Sequence, residues 1–314
     1  MDPVAAYDPY HPGSRAVQDH VGVREFADHV GRSIGQGIRP VAAAFLELQP
    51  MLVLGAADRT GRVWASLLTG APGFVRATGP RQISVAGGVR EGDPLADTLA
   101  AGTPAASSAG VPVGEATGVP VGTIALDPRT RRRMRLNGRA RPTPRGFAVE
   151  ADQVFSNCPK YLQKRDHYEE VPRRAAGAAR RSGQLHPEQR KFVEAADTFF
   201  LATVHGHGAD ASHRGGNPGF VRADSPSELS WRDYPGNSMF LTLGNLAADP
   251  RAGLLLLDWV TGTTLQLTGT ARTDFEPDGG RTVIFTVTEV VETPGASPLR
   301  WSAPEYSPAN PPLP

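Results

Sequence analysis

The feature that most constrains what this chain can fold into is an internal repeat. Residues 64–77 align without gaps with residues 210–223, and both segments contain the pentapeptide Pro-Gly-Phe-Val-Arg, at 72–76 and at 218–222. Self-similarity of this kind is typical of a duplicated structural unit. The repeat therefore favours two equivalent domains over one continuous domain.

Two further matches follow in the same order along the chain. Residues 134–140 resemble residues 265–271, and the eleven residues from Phe45 resemble the eleven from Phe192. The offset between the copies changes from 146 to 131 residues, so about fifteen extra residues belong to the first copy. We place them in the Ala-, Gly- and Ser-rich segment 100–118, whose composition is typical of a loop.

Three ordered matches predict two copies of one domain. We assign residues 15–165 to the first domain and residues 187–302 to the second. The Arg-rich segment 166–186 between them is interpreted as a linker that leads into a helix. Residues 303–314 are predicted to form a tail that is flexible or lies along the surface.

The local pattern predicts strands. Glycine and proline number 35 and 29, a share that indicates either disorder or many turns. Apolar runs at 199–204 and 254–257 predict buried strands joined to their neighbours by turns such as 205–208, and 282–291 is rich in β-branched residues. Residues 265–271 alternate, which predicts a strand with one buried face. Short strands between Gly and Pro turns favour a barrel or sandwich, so we predict a mainly β fold.

One helix is predicted inside the second copy, over residues 235–249. Asn237 is a suitable N-cap and Pro250 a suitable stop. Three apolar residues then lie along one face of this helix: Phe240, Leu243 and Leu246.

Charge and cysteine content exclude several classes of protein. The chain has 33 Lys and Arg against 32 Asp and Glu, a balance that argues against a dedicated nucleic-acid or membrane-surface protein. Cys158 is the single cysteine, which excludes an intrachain disulfide framework and a multi-cysteine metal site. A single thiol, no run of about 18 apolar residues and no recognisable signal peptide lead us to expect a cytoplasmic protein.

Two other clusters are given structural interpretations. His205, His207 and His213 lie within nine residues, but no cysteine is nearby and two of them fall on a predicted hairpin tip, so we predict no metal site. The eight arginines between 129 and 145 alternate with apolar residues such as Met134 and lack interleaved aromatics. We interpret them as the solvated face of a strand and not as a nucleic-acid interface.

Two polar clusters of the second copy have the chemistry of a phosphate site. Residues 212–217 (Ser-His-Arg-Gly-Gly-Asn) offer a hydroxyl, a guanidinium and a flexible backbone with free N–H groups. Residues 231–238 (Trp-Arg-Asp-Tyr-Pro-Gly-Asn-Ser) place N–H groups at the predicted helix start. Gly-rich strand ends and N-caps also occur without a ligand, so the spacing alone leaves both interpretations open.

The first copy supplies a contrast. It has Leu67 and Leu68 where the second copy has His213 and Arg214, and its segment 86–94 does not reproduce the Asp-Tyr-Pro-Gly-Asn-Ser sequence. A cluster needed only for the fold should occur in both copies. Its presence in one copy predicts a specific site there, and hence one ligand per chain.

The two polar clusters and the strands around them resemble those of a known superfamily. The stretch from Ala209 to Trp259, with residues 264–271, resembles the pyridoxamine 5'-phosphate oxidase-like superfamily of flavin-binding split β-barrels. Residues 155–163 (Phe-Ser-Asn-Cys-Pro-Lys-Tyr-Leu-Gln) and residues 11–18 resemble segments of its tandem-repeat, flavin-nucleotide-binding branch. The resemblance covers nearly the whole chain. It implies two tandem split barrels that form a pseudo-dimer within the chain, with flavin mononucleotide (FMN) bound in the seam.

The resemblance also implies which residues hold FMN. The second copy would bind the phosphate through Ser212, Arg214 and the helix start at Asn237 and Ser238. The complete predicted cofactor-binding set is Ser212, His213, Arg214, Gly215, Trp231, Asp233, Tyr234, Gly236, Asn237, Ser238, Asn157 and Lys160. The first copy would close the seam with the residues Asn157, Cys158, Lys160 and Tyr161.

Three residues of that closing segment are candidates for chemistry. Cys158 is a candidate nucleophile with Lys160 nearby to favour the thiolate, although a single cysteine is more often a buried small hydrophobe. Lys160 is either an anion ligand or a solvated surface lysine. Tyr161 either stacks on or protonates a flavin, or it packs. The sequence assigns no general acid or base.

The chain departs from the superfamily's vitamin B6 oxidases in two places. Ser238 and Met239 stand where those enzymes carry an Arg-Lys pair, and residues 298–301 contain no Arg-x-x-His-like substrate pair. We therefore predict an FMN-dependent oxidoreductase that acts on another small organic substrate by two-electron transfer, with NADPH or NADH as a candidate electron donor.

Two alternatives stay open. One is a non-catalytic protein that binds or carries flavin, and the other is the same fold with haem or a deazaflavin as its cofactor. The pseudo-dimer leaves either a monomer or a further homodimer as the assembly. No nucleic-acid or membrane partner is expected.

Overall fold

The protein is described by a computed structural model that covers residues 7–103, 118–156, 158–172, 177–206 and 208–313. Most of the predicted insertion at 100–118 lies outside the described residues, as do Asn157 and His207.

The first half begins with three helices, α1 (Pro12–Val21), α2 (Arg24–Gly31) and α3 (Pro40–Glu47). Its remaining elements are β1 (Met51–Ala57), β2 (Val63–Thr69), β3 (Val75–Gly79), β4 (Gln82–Ala86), α4 (Ala96–Ala101), β5 (Val119–Asp127), β6 (Arg132–Thr143) and β7 (Gly146–Ser156). The strands form one antiparallel sheet in the order β2-β1-β5-β6-β7-β4-β3.

The segment between the halves contributes β8 (Tyr168–Glu170) and β9 (Arg180–Ser182), followed by α5 (Pro187–Ala195), the helix predicted after the linker. The elements of the second half are β10 (Thr198–His205), β11 (Gly208–Gly215), β12 (Val221–Ser225), β13 (Glu228–Arg232), α6 (Leu241–Ala248), β14 (Arg251–Leu257), β15 (Thr264–Phe275), β16 (Arg281–Thr293) and β17 (Leu299–Trp301). The main sheet runs β11-β10-β14-β15-β16-β13-β12.

The two sheets have the same strand order. Each strand of the first sheet has its counterpart nine strands later, and neither sheet closes on itself over the described residues, as in a split barrel. The buried strands predicted at 199–204 and 254–257 and the hairpin between β10 and β11 are present. The predicted mainly β class, with two split barrels paired within one chain, is confirmed.

The halves pack through strands related by an approximate two-fold axis. A Cβ on Gly122 would lie 2.4 Å from Asp210 Cα, and a Cβ on Gly253 would lie 2.7 Å from Trp64 Cα. Gly253 is the counterpart of Gly122 in the repeat, and Trp64 is the counterpart of Asp210. Reciprocal contacts of this kind characterise a two-fold interface between like subunits.

Four apolar clusters are found among the described residues: one inside each barrel, one between the barrels, and a smaller one where the N-terminal helical segment meets β7 and the start of α6. The cluster between the barrels contains Val53 and Ile124 of the first sheet and Phe200 and Leu255 of the second. Burying such side chains contributes roughly 1.5–3 kcal/mol each. The seam between the barrels is therefore part of the folded core.

The prediction that residues 265–271 form a strand with one buried face is wrong in part. The strand β15 exists and is longer, but Gln266 and Thr268 on its polar face are buried as well. This face packs against the first sheet, where the Gln266 side-chain amide donates to the Ala65 carbonyl at 3.0 Å. A strand at the seam is buried on both sides.

The helix predicted over 235–249 is shorter in the structure, because α6 begins only at Leu241. Asn237 is not its N-cap, and its side-chain oxygen instead accepts a hydrogen bond from the Met239 backbone N–H at 3.2 Å. The helix ends before Pro250, as predicted.

The N-terminal helix α1 packs on α6 of the other half. His11 donates through Nε2 to the Asn245 side-chain oxygen at 2.7 Å. Gly244 allows the close approach, since a Cβ there would lie 2.4 Å from Ser14 Cα. Although α1 comes first in the sequence, it completes the second half.

The C-terminal segment lies against residues of both halves. Gln163 accepts hydrogen bonds through Oε1 from the Ser307 backbone at 2.8 Å and from the Asn310 side chain at 3.0 Å. Asn310 also donates to Asn217 at 3.0 Å.

Candidate functional site

A cleft opens between the two sheets, where β6 and the segment after β7 face β11 and the loop before α6. It encloses about 300 Å³. Among the described residues that line it, one carries a carboxylate, Asp233, and six are cationic: Arg133, Arg135, Lys160, Arg214, Arg232 and Arg281. We refer to it as the arginine cleft.

Arginines from both halves converge at the inner end of the arginine cleft. Arg133 and Arg135 come from β6, and Arg214 comes from β11. Arg133 Nη1 lies 2.6 Å from His213 Nδ1, and Arg133 Nη2 donates to the Cys158 carbonyl at 2.7 Å. Because a guanidinium only donates, His213 Nδ1 accepts, and the proton of the neutral imidazole lies on Nε2.

Arg135 is held by a buried carboxylate. Its Nη1 lies 3.0 Å from Asp210 Oδ2, and the two side chains are only 9% and 3% exposed. Asp210 also accepts a hydrogen bond from the Asn137 side chain at 3.1 Å. This ion pair compensates Arg135, whereas Arg133 has no carboxylate within ion-pair distance in the described part of the chain.

Four N–H groups of the inner end have no hydrogen-bond partner among the residues that the structure describes. They are the Nε groups of Arg133, Arg135 and Arg214 and the Nε2 group of His213. All four are donors, and a buried donor without an acceptor costs about 1–3 kcal/mol. An oxygen-rich anion would supply the missing acceptors through charge-assisted hydrogen bonds.

The pKa values of Arg133 and His213 agree with an inner end that has more hydrogen-bond donors than acceptors. Removal from solvent, with a smaller effect of Arg135 and Arg214, lowers the pKa of Arg133 to about 9, so that it stays charged at neutral pH. Burial, reinforced by the surrounding arginines, holds the pKa of His213 well below its usual value of 6.5. His213 is therefore a neutral donor beside uncompensated positive charge.

The loop before α6 forms another wall of the cleft. Gly236, Asn237 and Ser238 line it, as predicted for a polar loop that reaches the site. Ser238 and Phe240 have φ angles of 58° and 52°, in the left-handed region that interrupts a helix. The loop thus reaches the cleft without the helix N-terminus that we expected at Asn237 and Ser238.

The predicted closing segment of the first copy lies in the same cleft. Cys158, Lys160 and Tyr161 all line it, and Cys158 is exposed. The Tyr161 hydroxyl donates to the Pro235 carbonyl at 2.9 Å, and its ring centroid lies 5.1 Å from that of Tyr234. The structure therefore brings this segment and the polar clusters of the second copy together.

Most predicted residues of the second copy also line the arginine cleft: His213, Arg214, Gly215, Asp233, Tyr234, Gly236, Asn237 and Ser238. Two lie elsewhere. Ser212 is fully buried behind Arg214, whose Nη1 donates to its hydroxyl at 3.2 Å. Trp231 packs in the barrel core, with its ring centroid 5.0 Å from that of Phe199.

Sequence reasoning missed two residues of the site, Arg133 and Arg135. The interpretation of the arginines between 129 and 145 as one solvated face is wrong for them, because this part of β6 faces the second half. The alternation of arginine with Met134 and Leu136 was the available signal. It marks two faces of a strand but does not tell whether the polar face meets water or another sheet.

The fold separates His205 from His213. The ring of His205 stacks on that of His11 with centroids 4.2 Å apart, whereas His213 lines the arginine cleft. Within the described ranges, no three His, Cys, Asp or Glu side chains are grouped so as to hold a metal ion.

Comparison with known proteins finds a similarity in the second half. The family model described as "Pyridoxamine 5'-phosphate oxidase" matches residues 185–283. The second half of the chain is therefore similar to the pyridoxamine 5'-phosphate oxidase-like superfamily. The match includes His213 and Arg214 of the cleft, while Arg133 and Arg135 lie in the other half. A search of curated proteins found no match.

Several solved structures are similar to part of the chain. A FAD-binding protein of Mesorhizobium loti is 12% identical, with a TM-score of 0.28, over 37% of this chain and 97% of its own. The FAD binding protein of Mycobacterium smegmatis is 10% identical, with a TM-score of 0.26, over 37% and 98%. HupZ of Group A Streptococcus is 13% identical, with a TM-score of 0.26, over 33% and 89%.

In the ranges that the structure describes, no helix combines the length and the apolar character needed to span a bilayer.

Proposed function

We propose that this protein binds FMN in the arginine cleft, with the phosphate at the inner end, and catalyses two-electron transfer to or from a small organic substrate. The observation that carries the proposal is the set of donors without partners, among the described residues, on Arg133, Arg135, Arg214 and His213. A phosphate monoester offers three strong acceptor oxygens and close to two negative charges at neutral pH. It therefore matches both the donors and the uncompensated charge.

The size and the apolar wall of the cleft support a mononucleotide. About 300 Å³ lies at the lower end of the range of roughly 300–1,000 Å³ for small-molecule sites. Val21 and Val23 from the N-terminal helical segment join Phe240 and Leu243 in lining the cleft. Such a wall suits a planar ring system and keeps water away from it.

The residues of the chain bind and orient. A bound flavin supplies the redox chemistry, which the protein alone does not possess. Arg133 and Arg135 from one half and Arg214 and His213 from the other would fix the phosphate from two sides. The exposed Cys158 lies on the rim, where a substrate would approach.

The proposal also includes an electron donor, a cellular location and a functional unit. NADPH or NADH is the proposed electron donor, and the cytoplasm is the proposed location, consistent with the single free thiol of Cys158. One chain contributes both walls of the arginine cleft, so the proposed functional unit is a single chain.

The phosphate assignment is tested with Arg214→Ala. Losing one charge-assisted contact of about 1.5–3 kcal/mol should weaken FMN binding about 10- to 100-fold in a fluorescence titration. Arg222→Ala is the matched control, because Arg222 is 73% exposed and pairs with Asp224 away from the cleft. Unchanged FMN affinity in Arg214→Ala would overturn the phosphate assignment.

The cofactor and the catalytic step need separate measurements. A visible spectrum of the purified protein should show the two bands of an oxidised flavin, and a Soret band would instead indicate haem. Anaerobic reduction by NADPH or NADH, followed by reoxidation with candidate acceptors, tests catalysis. A flavin that stays oxidised with both donors and all acceptors would support a carrier instead.

A further inference from the structure

The approximate two-fold axis generates a second cleft on the opposite side of the seam. We refer to it as the mirror cleft, and the residues at its inner end include Leu67, Asp93, Leu255, Thr264 and Gln266. Thr264 and Gln266 occupy the positions of Arg133 and Arg135 in the repeat. This inner end encloses only about 20 Å³, which is room for about one water molecule.

The carboxylate of Asp93 fills the inner end of the mirror cleft. Its Oδ1 accepts hydrogen bonds from the Ser66 hydroxyl at 2.6 Å and from the Leu95 backbone N–H at 2.9 Å. Its Oδ2 accepts from the Gln266 side-chain amide at 3.1 Å. Ser66 is the counterpart of Ser212, so a carboxylate of the chain itself satisfies the donors on this side.

The loop that carries Asp93 is the counterpart of the loop that lines the arginine cleft. Asp93 lies three residues before α4, as Ser238 lies three residues before α6. In the second half this loop presents Gly236, Asn237 and Ser238 to the cleft. In the first half the same position presents an acidic group.

Among the described residues, two cations line the wider outer part of the mirror cleft, Arg90 and Arg300, against six in the arginine cleft. Leu67 and Leu68 line this outer part of the mirror cleft at the positions that His213 and Arg214 occupy in the arginine cleft. Burial raises the pKa of Asp93, as expected for a carboxyl group surrounded mainly by neutral donors. At the inner end, an incoming phosphate would meet the resident carboxyl group and donors that are already occupied.

We propose that Asp93 determines the ligand stoichiometry: it is a resident carboxylate that occupies the inner end of the mirror cleft and excludes phosphate-bearing ligands from it. The inference rests on the proposed function for the identity of the ligand in the arginine cleft. Replacing Asp93 by the serine found at the counterpart position, and restoring the arginine found opposite Gln266, should convert the mirror cleft into a second phosphate site.

The test compares the double variant Asp93→Ser/Gln266→Arg with Gln266→Arg alone. In Gln266→Arg, the control, we expect the introduced guanidinium to form an ion pair with Asp93 like that of Arg135 with Asp210. In the double variant it remains uncompensated. FMN bound per chain is counted by equilibrium dialysis, and the midpoint of thermal unfolding is recorded with and without inorganic phosphate.

The expected result is one FMN per chain for the wild type and the control, and for the double variant an additional FMN that binds more weakly, because the counterparts of Arg133, His213 and Arg214 are still missing. Phosphate should also raise the unfolding midpoint of the double variant more than that of the control, because a ligand stabilises the state that binds it. Two FMN in the control, or one FMN and an equal phosphate effect in a folded double variant, would overturn the role of Asp93.

A second variant keeps the inference testable if the double variant fails to fold. Asp93→Ser alone removes the resident carboxylate and the acceptor of the Ser66 hydroxyl, while Gln266 keeps its hydrogen bond to Ala65, and the variant should bind one more inorganic phosphate per chain than the wild type. An equal phosphate count would overturn the inference. If the wild type binds no FMN while the variant gains a phosphate, the proposed function fails and the role of Asp93 stands.

Discussion

At the scale of single residues, the buried pair of Arg135 and Asp210 makes the arginine cleft possible. Asp210→Asn keeps the shape of the side chain but leaves Arg135 buried without a counter-charge. Breaking a buried pair in this way costs about 3–5 kcal/mol, so we expect a loss of that size in urea unfolding without ligand. The exposed pair of Arg222 and Asp224 is the control, and Asp224→Asn should cost less than about 1 kcal/mol. Equal losses in both variants would contradict this account.

The depressed pKa of His213 predicts a specific pH dependence of stability. The unfolded histidine takes up a proton near pH 6.5, whereas the folded one stays neutral, so the unfolded state binds more protons below that pH. Stability should fall by about 1.4 kcal/mol per pH unit as the pH drops below 6.5, until the folded pKa is reached. Urea unfolding at several pH values should show a shallower slope for His213→Gln, and an unchanged slope would contradict a neutral His213.

At the scale of elements, the docking of α1 on α6 links the N-terminus to the site. A Cβ on Gly244 would lie 2.4 Å from Ser14 Cα, so Gly244→Ala should displace α1 and cost about 1–3 kcal/mol. Because Val21 of α1 lines the arginine cleft, FMN affinity should fall as well. Gly88→Ala is the control, since no atom lies within 4 Å of a Cβ there. Wild-type stability and hydrogen exchange of α1 in Gly244→Ala would contradict the role of this contact.

Elements were predictable from the sequence where the pattern concerned a single sheet. The strands β10 and β14 and the stop of α6 at Pro250 follow from apolar runs and from the chemistry of proline. The polar faces of β6 and β15 were wrongly predicted to face solvent. Each of them is covered by the sheet of the other half, which only the tertiary fold brings there. The start of α6 was misplaced because the left-handed residues before Leu241 include Ser238 and Phe240, and neither residue type predicts that conformation.

The site was predictable only in part for the same reason. The segment around Cys158 and the cluster around Arg214 were placed in one seam by resemblance, and both line the arginine cleft. Arg133 and Arg135 carry no local motif, and their role depends on their position across the two-fold axis. The role of Asp93 could not be predicted from the sequence either, because its contact with Gln266 joins residues that are far apart in the chain.

At the scale of the whole molecule, duplication followed by divergence explains the unequal clefts. Both sheets have one strand order, and reciprocal contacts such as Gly122 with Asp210 hold them in one seam. Guanidinium groups line the arginine cleft on one side of the seam, and the carboxylate of Asp93 fills the inner end of the mirror cleft on the other side. A symmetric fold thereby yields an asymmetric molecule with one proposed ligand site.

We propose that the arginine cleft holds one ligand per chain by its phosphate. Isothermal titration of the full chain with FMN and, separately, with riboflavin tests it most directly, because the two ligands differ only in the phosphate. We expect one FMN per chain and riboflavin binding at least about 100-fold weaker, since several charge-assisted contacts are lost. Equal affinity for the two ligands, or two FMN per chain, would contradict it.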